Sequence, residues 1–180
     1  MRQKITKPGI TKPGAKKSKA LKLASHSAAG SGMLMAALLA VMLMFTLQVP
    51  WVRAAEIHVP GDYPAIQSAI QAAHSGDVVI VSAGTYYENI NFSGKAITVR
   101  STNPDDPVVV AGTIIDGQKA GSVVTFNSAE GIGSVLSGLT IQNGKNLDGG
   151  GIYCESSSPA IKRCTITGNL ADGGYGGGIS

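Results

Sequence analysis

From residue 77 onward the chain is a succession of short apolar runs separated by Gly, Asn, Asp, Ser and Pro. The runs fall at 78–81, 89–92, 97–100, 108–110, 113–115, 123–126, 135–136, 139–141, 152–154, 160–162 and 164–166. They are rich in Val, Ile and Thr, so they predict short strands, at the low end of strand length. Another strand is expected at Glu56-Ile57-His58-Val59, followed by a turn through Pro60-Gly61-Asp62-Tyr63-Pro64. One segment has a different period. Ile66, Ala69, Ile70 and Ala73 recur at i, i+3, i+4 and i+7, the single stripe of an amphipathic helix, which predicts a helix over 65–74 closed by Ser75-Gly76. It is the one convincing helix of the body.

Internal similarity chooses among the architectures that short strands allow. Leu139-Thr140-Ile141-Gln142-Asn143-Gly144 returns 25 residues later as Cys164-Thr165-Ile166-Thr167-Gly168-Asn169. Gly149-Gly150-Gly151-Ile152 returns 27 residues later as Gly176-Gly177-Gly178-Ile179. A sandwich would show tight hairpin signals and regular alternation, and a leucine-rich repeat would show its own Leu/Asn pattern; neither is present. A period in the twenties with Gly and Asn at the corners fits one coil of a β-solenoid, and the sequence predicts about four to five such coils. A stack of coils exposes unpaired backbone at its first edge, so the 65–74 helix is expected to be the N-terminal cap. The sequence stops inside a repeat, as the front of a longer protein would.

Composition divides the chain near residue 55. Residues 1–32 carry Arg2 and seven lysines with no acid, and 33–47 are uncharged and almost wholly apolar. A basic stretch before an apolar run of this length reads as an export signal, with cleavage after Ala54 in Val52-Arg53-Ala54. An uncleaved membrane anchor with its basic end inside is the alternative. Residues 1–54 are therefore read as signal peptide or anchor, and 55–180 as the folded body, extracellular or at the cell surface. Of fifteen Lys and Arg, nine lie in the leader, while all eleven Asp and Glu follow it. The body is thus acidic and offers no basic patch for nucleic acid.

Cys154 and Cys164 are the only thiols. In an exported protein they could pair, or pack as small apolar residues in their strands. Gly runs suit corners needing positive φ, and Asn143 and Asn169 suit corners where an amide satisfies turn backbone.

These residues resemble a known group. Tyr63-Pro64-Ala65-Ile66-Gln67-Ser68-Ala69-Ile70, then Gly76-Asp77-Val78-Val79-Ile80-Val81, then Gly84-Thr85-Tyr86-Tyr87-Glu88-Asn89-Ile90 resemble the opening of pectin-lyase-like right-handed parallel β-helix proteins, pectinesterases among them. Ile115-Asp116-Gly117, Gly138–Ile141, Gly149–Tyr153, Ser158–Ile161 and Cys164–Asn169 are similar to bacterial secreted β-helix repeats, with some likeness to chlamydial polymorphic outer-membrane proteins. The likeness spans 57–180. It implies an all-β, right-handed parallel β-helix with a short capping helix, in a superfamily of polysaccharide lyases, hydrolases, esterases and epimerases. Fold alone does not carry an activity.

Each candidate chemistry has a structural counterpart. Gly84, Tyr86 and Glu88 match a Gly-x-Tyr-x-Glu element of pectinesterases, but the element recurs in non-enzymatic helices, where it is a corner glycine and a tyrosine packed under the cap. The catalytic segments of an esterase have no counterpart here. Asp148 and Asp172 each precede a Gly-rich run, which would set two carboxylates a coil apart on one face, a site for calcium, sugar hydroxyls or an acid/base pair, or else two solvated turn aspartates. A lyase base near them would have to be Lys162 or Arg163, otherwise an exposed charged edge. His58 and His74 lack a nucleophile at base spacing. No catalytic constellation is visible. The expected function is an extended surface for an extracellular polysaccharide or cell-surface glycan. The alternatives are the N-terminal part of a polysaccharide-active enzyme with its site beyond residue 180, or a surface adhesin.

Overall fold

The structure, a computed structural model, describes residues 53–180. The signal-or-anchor segment lies outside the described residues. Among the described residues no helix is long and apolar enough to cross a membrane.

Fourteen short strands and two short helices make up this body. The strands are β1 (Glu56–Val59), β2 (Val78–Val81), β3 (Gly84–Tyr86), β4 (Ile90–Asn91), β5 (Thr98–Ser101), β6 (Thr113–Asp116) and β7 (Val124–Phe126). They continue with β8 (Val135–Ser137), β9 (Thr140–Gln142), β10 (Lys145–Asp148), β11 (Ile152–Cys154), β12 (Ala160–Lys162), β13 (Thr165–Thr167) and β14 (Leu170–Tyr175). The helices are α1 (Ile66–Ala72) and α2 (Pro107–Gly112).

Apart from β1 and β2, strands consecutive in sequence do not pair with each other. The sheets run β1-β2-β5-β8-β12, β3-β6-β9-β13, β4-β7-β11 and β10-β14, and every pairing is parallel. The chain therefore visits the sheets in rotation, which is why no hairpin signal was legible. The expectation of an all-β body with parallel pairing holds. Both repeat spacings are also register facts: Thr140 sits beside Thr165, and Ile152 bridges Ile179.

In-register parallel pairing lines up like residues. Val79, Val99, Leu136 and Ile161 form one column, Ile115, Ile141 and Ile166 a second, and Ile90, Val124 and Ile152 a third. Except at the last coil these side chains are fully buried, each worth about 1.5–3 kcal/mol relative to exposure. Phe92 and Phe126 stack beside them with ring centroids 4.4 Å apart.

Helix α1 packs on β1, β2 and β4, burying Ile66, Ala69 and Ile70. At seven residues it is too short to be stable alone, and two side chains from later in the chain hold it. Both carboxylate oxygens of Glu88 accept from the Ile66 and Gln67 N–H groups at 2.9 Å. At the other end Lys95 Nζ donates to the carbonyls of Ile70, Gln71 and Ala73 at 2.6–2.8 Å. An anion at the N-terminus and a cation at the C-terminus match the helix dipole. Gln67 also acts as a rung: its Oε1 accepts from Asn91 N and its Nε2 donates to Asn91 O, so the outer edge of β4 is hydrogen-bonded rather than bare.

One expectation is overturned. Residues 108–110, read as a strand, lie in α2. Asp106 is its N-cap, with its side chain accepting from Val108 N, and Pro107 opens the first turn. Those local signals outweigh the β preference of three valines. The body thus has two helices, not one. Strands β3, β10 and β14 were not expected either; they are polar or Gly-rich and carry no apolar run.

Three buried carboxylates tie together segments 22 or more residues apart. Glu130, 2% exposed, accepts from Gly94 N and Ser128 N and from the Ser157 hydroxyl at 2.7–2.8 Å. Asp77 accepts from Ala55 N and His74 N, and these backbone bonds hold its carboxyl below the usual range. Burial acts to raise the Asp116 carboxyl, but bonds from Gln118 N, Gln142 and Asn143 outweigh it and leave it lowered.

Candidate functional site

The β10–β14 ribbon carries the two aspartates singled out in the sequence. Lys145 lies beside Leu170 and Asn146 beside Ala171, but the register then slips and Asp148 lies beside Tyr175. The extra residues bulge at Asp172-Gly173-Gly174, and Gly174 adopts φ 90°, a conformation that favours glycine. Asp148 and Asp172 are therefore not equivalent along the ladder. Asp172 turns to Lys145, whose Nζ lies 3.1 Å from its Oδ2. A cation at Asp172 would have to displace that ammonium. Among the described residues no three His, Cys, Asp or Glu side chains converge on one point.

Asp148 faces a different environment. With Asn146, Leu147 and Tyr153 it lines an open cleft of ≈240 Å³. It takes part in none of the ion pairs among the described residues. The charge of Glu155, followed by burial and by Asp148, raises the Tyr153 phenol above its ordinary value, so the group is a protonated donor at neutral pH. Leu147 and Tyr175 on the ribbon are 69% and 71% exposed. The cleft combines an aromatic ring, an amide, a free carboxylate and exposed apolar surface.

A second cleft of ≈260 Å³ lies between α2 and β13, lined by Pro104, Asp105, Pro107, Val110, Arg163 and Thr165. Arg163 Nε sits 2.6 Å from Asp105 Oδ1 across it. The guanidinium is thus engaged away from Asp148 and Asp172, and Lys162 is exposed on β12. The base and the carboxylates that a lyase would combine are not brought together.

The side chains of the Gly-x-Tyr-x-Glu element make their hydrogen bonds within the fold. Tyr86 Oη donates to Ser82 O at 2.9 Å and approaches Val59 O, while Glu88 is consumed by the helix terminus. Gly84 opens β3, the outermost strand of its sheet. Asn143 takes φ 56° and donates from Nδ2 to Asp116 Oδ2 at 2.7 Å. Asn143 thus meets a side chain rather than turn backbone, whereas Asn169 accepts from Gly144 N and donates to Ile141 O. Cys154 and Cys164 are free thiols, partly buried at the edge of the core, and burial raises both. His58 and His74 are exposed. The sequence reading missed Glu130, Asp77 and Lys95, whose partners include groups 22 or more residues away, and it missed Tyr153 on β11 and Tyr175 on β14.

No family model, curated protein or solved structure matches the chain.

Proposed function

We propose that residues 55–180 form an exported, right-handed parallel β-helix whose β10–β14 ribbon, with Tyr153 beside it, presents a surface for an extracellular glycan. The rotation of the chain through parallel sheets, the like-residue columns and the helix against the first strands support the β-helix reading. Right-handedness follows the general rule for parallel crossovers. The resemblance to secreted β-helix repeats points to export.

The cleft at Tyr153 is the observation that carries the glycan reading. A ring stacks on the apolar face of a sugar, while Asp148 and the phenol exchange hydrogen bonds with its hydroxyls; Asn146 is engaged with Ser122 Oγ and Leu147 N and shapes the cleft wall. The carboxylates of Asp148 and Glu155 favour a neutral sugar, since a uronate or sulfate would meet like charge. Calorimetric titration of the full chain with neutral and uronic oligosaccharides tests this. Neutral oligosaccharides are expected to bind, and Tyr153→Ala to weaken them at least about tenfold, the effect of losing an aromatic anchor. Binding that survives Tyr153→Ala unchanged, or that favours uronic chains, would remove the ribbon as the site.

A further inference from the structure

We propose that Asn143-Gly144 is a latent self-modifying site, in which the Gly144 nitrogen is held back from attacking Asn143 Cγ by the Asn169 side chain of the next coil. The fold forces this dipeptide. At φ 56° residue 143 is in the left-handed region, which Asn tolerates better than most residues, and its Nδ2 is the donor that Asp116 Oδ2 receives. A Cβ on residue 144 would overlap the carbonyl oxygen of Gly150, where the chain returns from β10, so only glycine fits there. Asparagine followed by glycine is the pair with least steric resistance to succinimide formation.

The same geometry blocks the reaction. The Gly144 N–H donates to Asn169 Oδ1 at 2.8 Å, and Asn169 Nδ2 donates to Ile141 O at 3.0 Å, which fixes the amide in place. Gly144 is buried, and the Asn143 amide is tied to Asp116. Attack requires the Gly144 N–H to lose its proton and the nitrogen to swing toward Cγ, and both need this corner to open.

When it opens, a bond forms between Gly144 N and Asn143 Cγ. The Cγ–Nδ2 bond breaks, and Nδ2 leaves as ammonia with the proton from Gly144. Water then adds to either imide carbonyl, giving aspartate or isoaspartate at 143. Either product puts a carboxylate where Asp116 had a donor, so two like charges face each other at hydrogen-bond distance. Isoaspartate also adds an atom to the main chain beneath Gly150. The change runs one way and loosens the contact between coils.

Timed peptide mapping by mass spectrometry of the full chain, incubated at mildly alkaline pH, tests the proposal. Native protein is expected to modify residue 143 far more slowly than the same protein unfolded in urea. Asn169→Ala, folded, is expected to modify at least about fivefold faster than the parent, the factor that one lost hydrogen bond represents. Ile166→Ala loosens the same coil from its core without touching either bond and is expected to accelerate it less. Asn169→Asp keeps an acceptor for Gly144 and is expected to stay slow, which supplies the comparison if Asn169→Ala does not fold. Equal rates in native and unfolded parent, an Ile166→Ala rate matching that of Asn169→Ala, or a fast, folded Asn169→Asp would each overturn it.

Discussion

Glu130→Ala is expected to destabilise the body by about 3–4 kcal/mol, read as a lower urea midpoint at unchanged slope. The carboxylate serves three donors from three places in the chain, Gly94, Ser128 and Ser157, and accepts them in a pocket where it is 2% exposed. Alanine leaves those donors without a partner, and a buried donor left unsatisfied costs more than the bond contributed. Burial pushes the carboxyl upward, yet bonds from Gly94 N, Ser128 N and Ser157 more than offset it, so the folded value lies below the unfolded one. The sign follows: the folded state binds its proton less readily, so this stability is present above the unfolded glutamate range of about 4.3 and is lost as pH falls through the folded value. Glu130→Ala is therefore expected to flatten the acid limb of a stability–pH curve, leaving the part due to Asp77 and Asp116, which are lowered likewise. An unchanged acid limb would show that Glu130 does not ionise in the folded state.

Removing both clamps of α1 is expected to produce aggregation. In Glu88→Ala with Lys95→Ala the helix loses two bonded N–H groups and three bonded carbonyls together, and the two ends no longer oppose its dipole with matching charge. Each single variant is expected to cost about 1–2 kcal/mol. The double variant exposes Ile66, Ala69 and Ile70 and frees the β4 edge that Gln67 covers. Light scattering and dye binding at matched concentration read the outcome. A soluble, monomeric double variant would mean that apolar packing alone holds the helix on the first strands.

The sequence made the periodic part of this architecture readable and the coil-to-coil chemistry invisible. Columns of Val, Ile and Leu repeat, so strand positions and the pairing of Thr140 with Thr165 follow from similarity alone. The two spacings, 25 and 27, already contained the ribbon's bulge: the first is the register of Lys145 with Leu170, the second that of Asp148 with Tyr175. Reading Asp148 and Asp172 as equivalent overlooked that difference of two residues. Glu88, Lys95 and Glu130 gave no local signal, because a carboxylate or ammonium in a loop looks the same whether it meets water or a helix end one coil below. The Tyr153 cleft was hidden for a related reason. Tyr153 lies on β11, and the Asn146, Leu147 and Asp148 that complete its cleft belong to β10, a strand with no apolar run to announce it.

The chain between paired strands differs in length while the pairing stays in register. Val78 lies beside Thr98, but Thr98 lies beside Val135, the extra chain leaving through α2 and the loops on either side of β7 before the next strand returns to register. In terms of descent, length at the corners can change without moving a column, whereas a column position has to stay apolar, with Val, Leu and Ile all serving in one of them. Two sequences that shared this ancestry would lose any common period early and keep the order and apolar character of their rungs much longer.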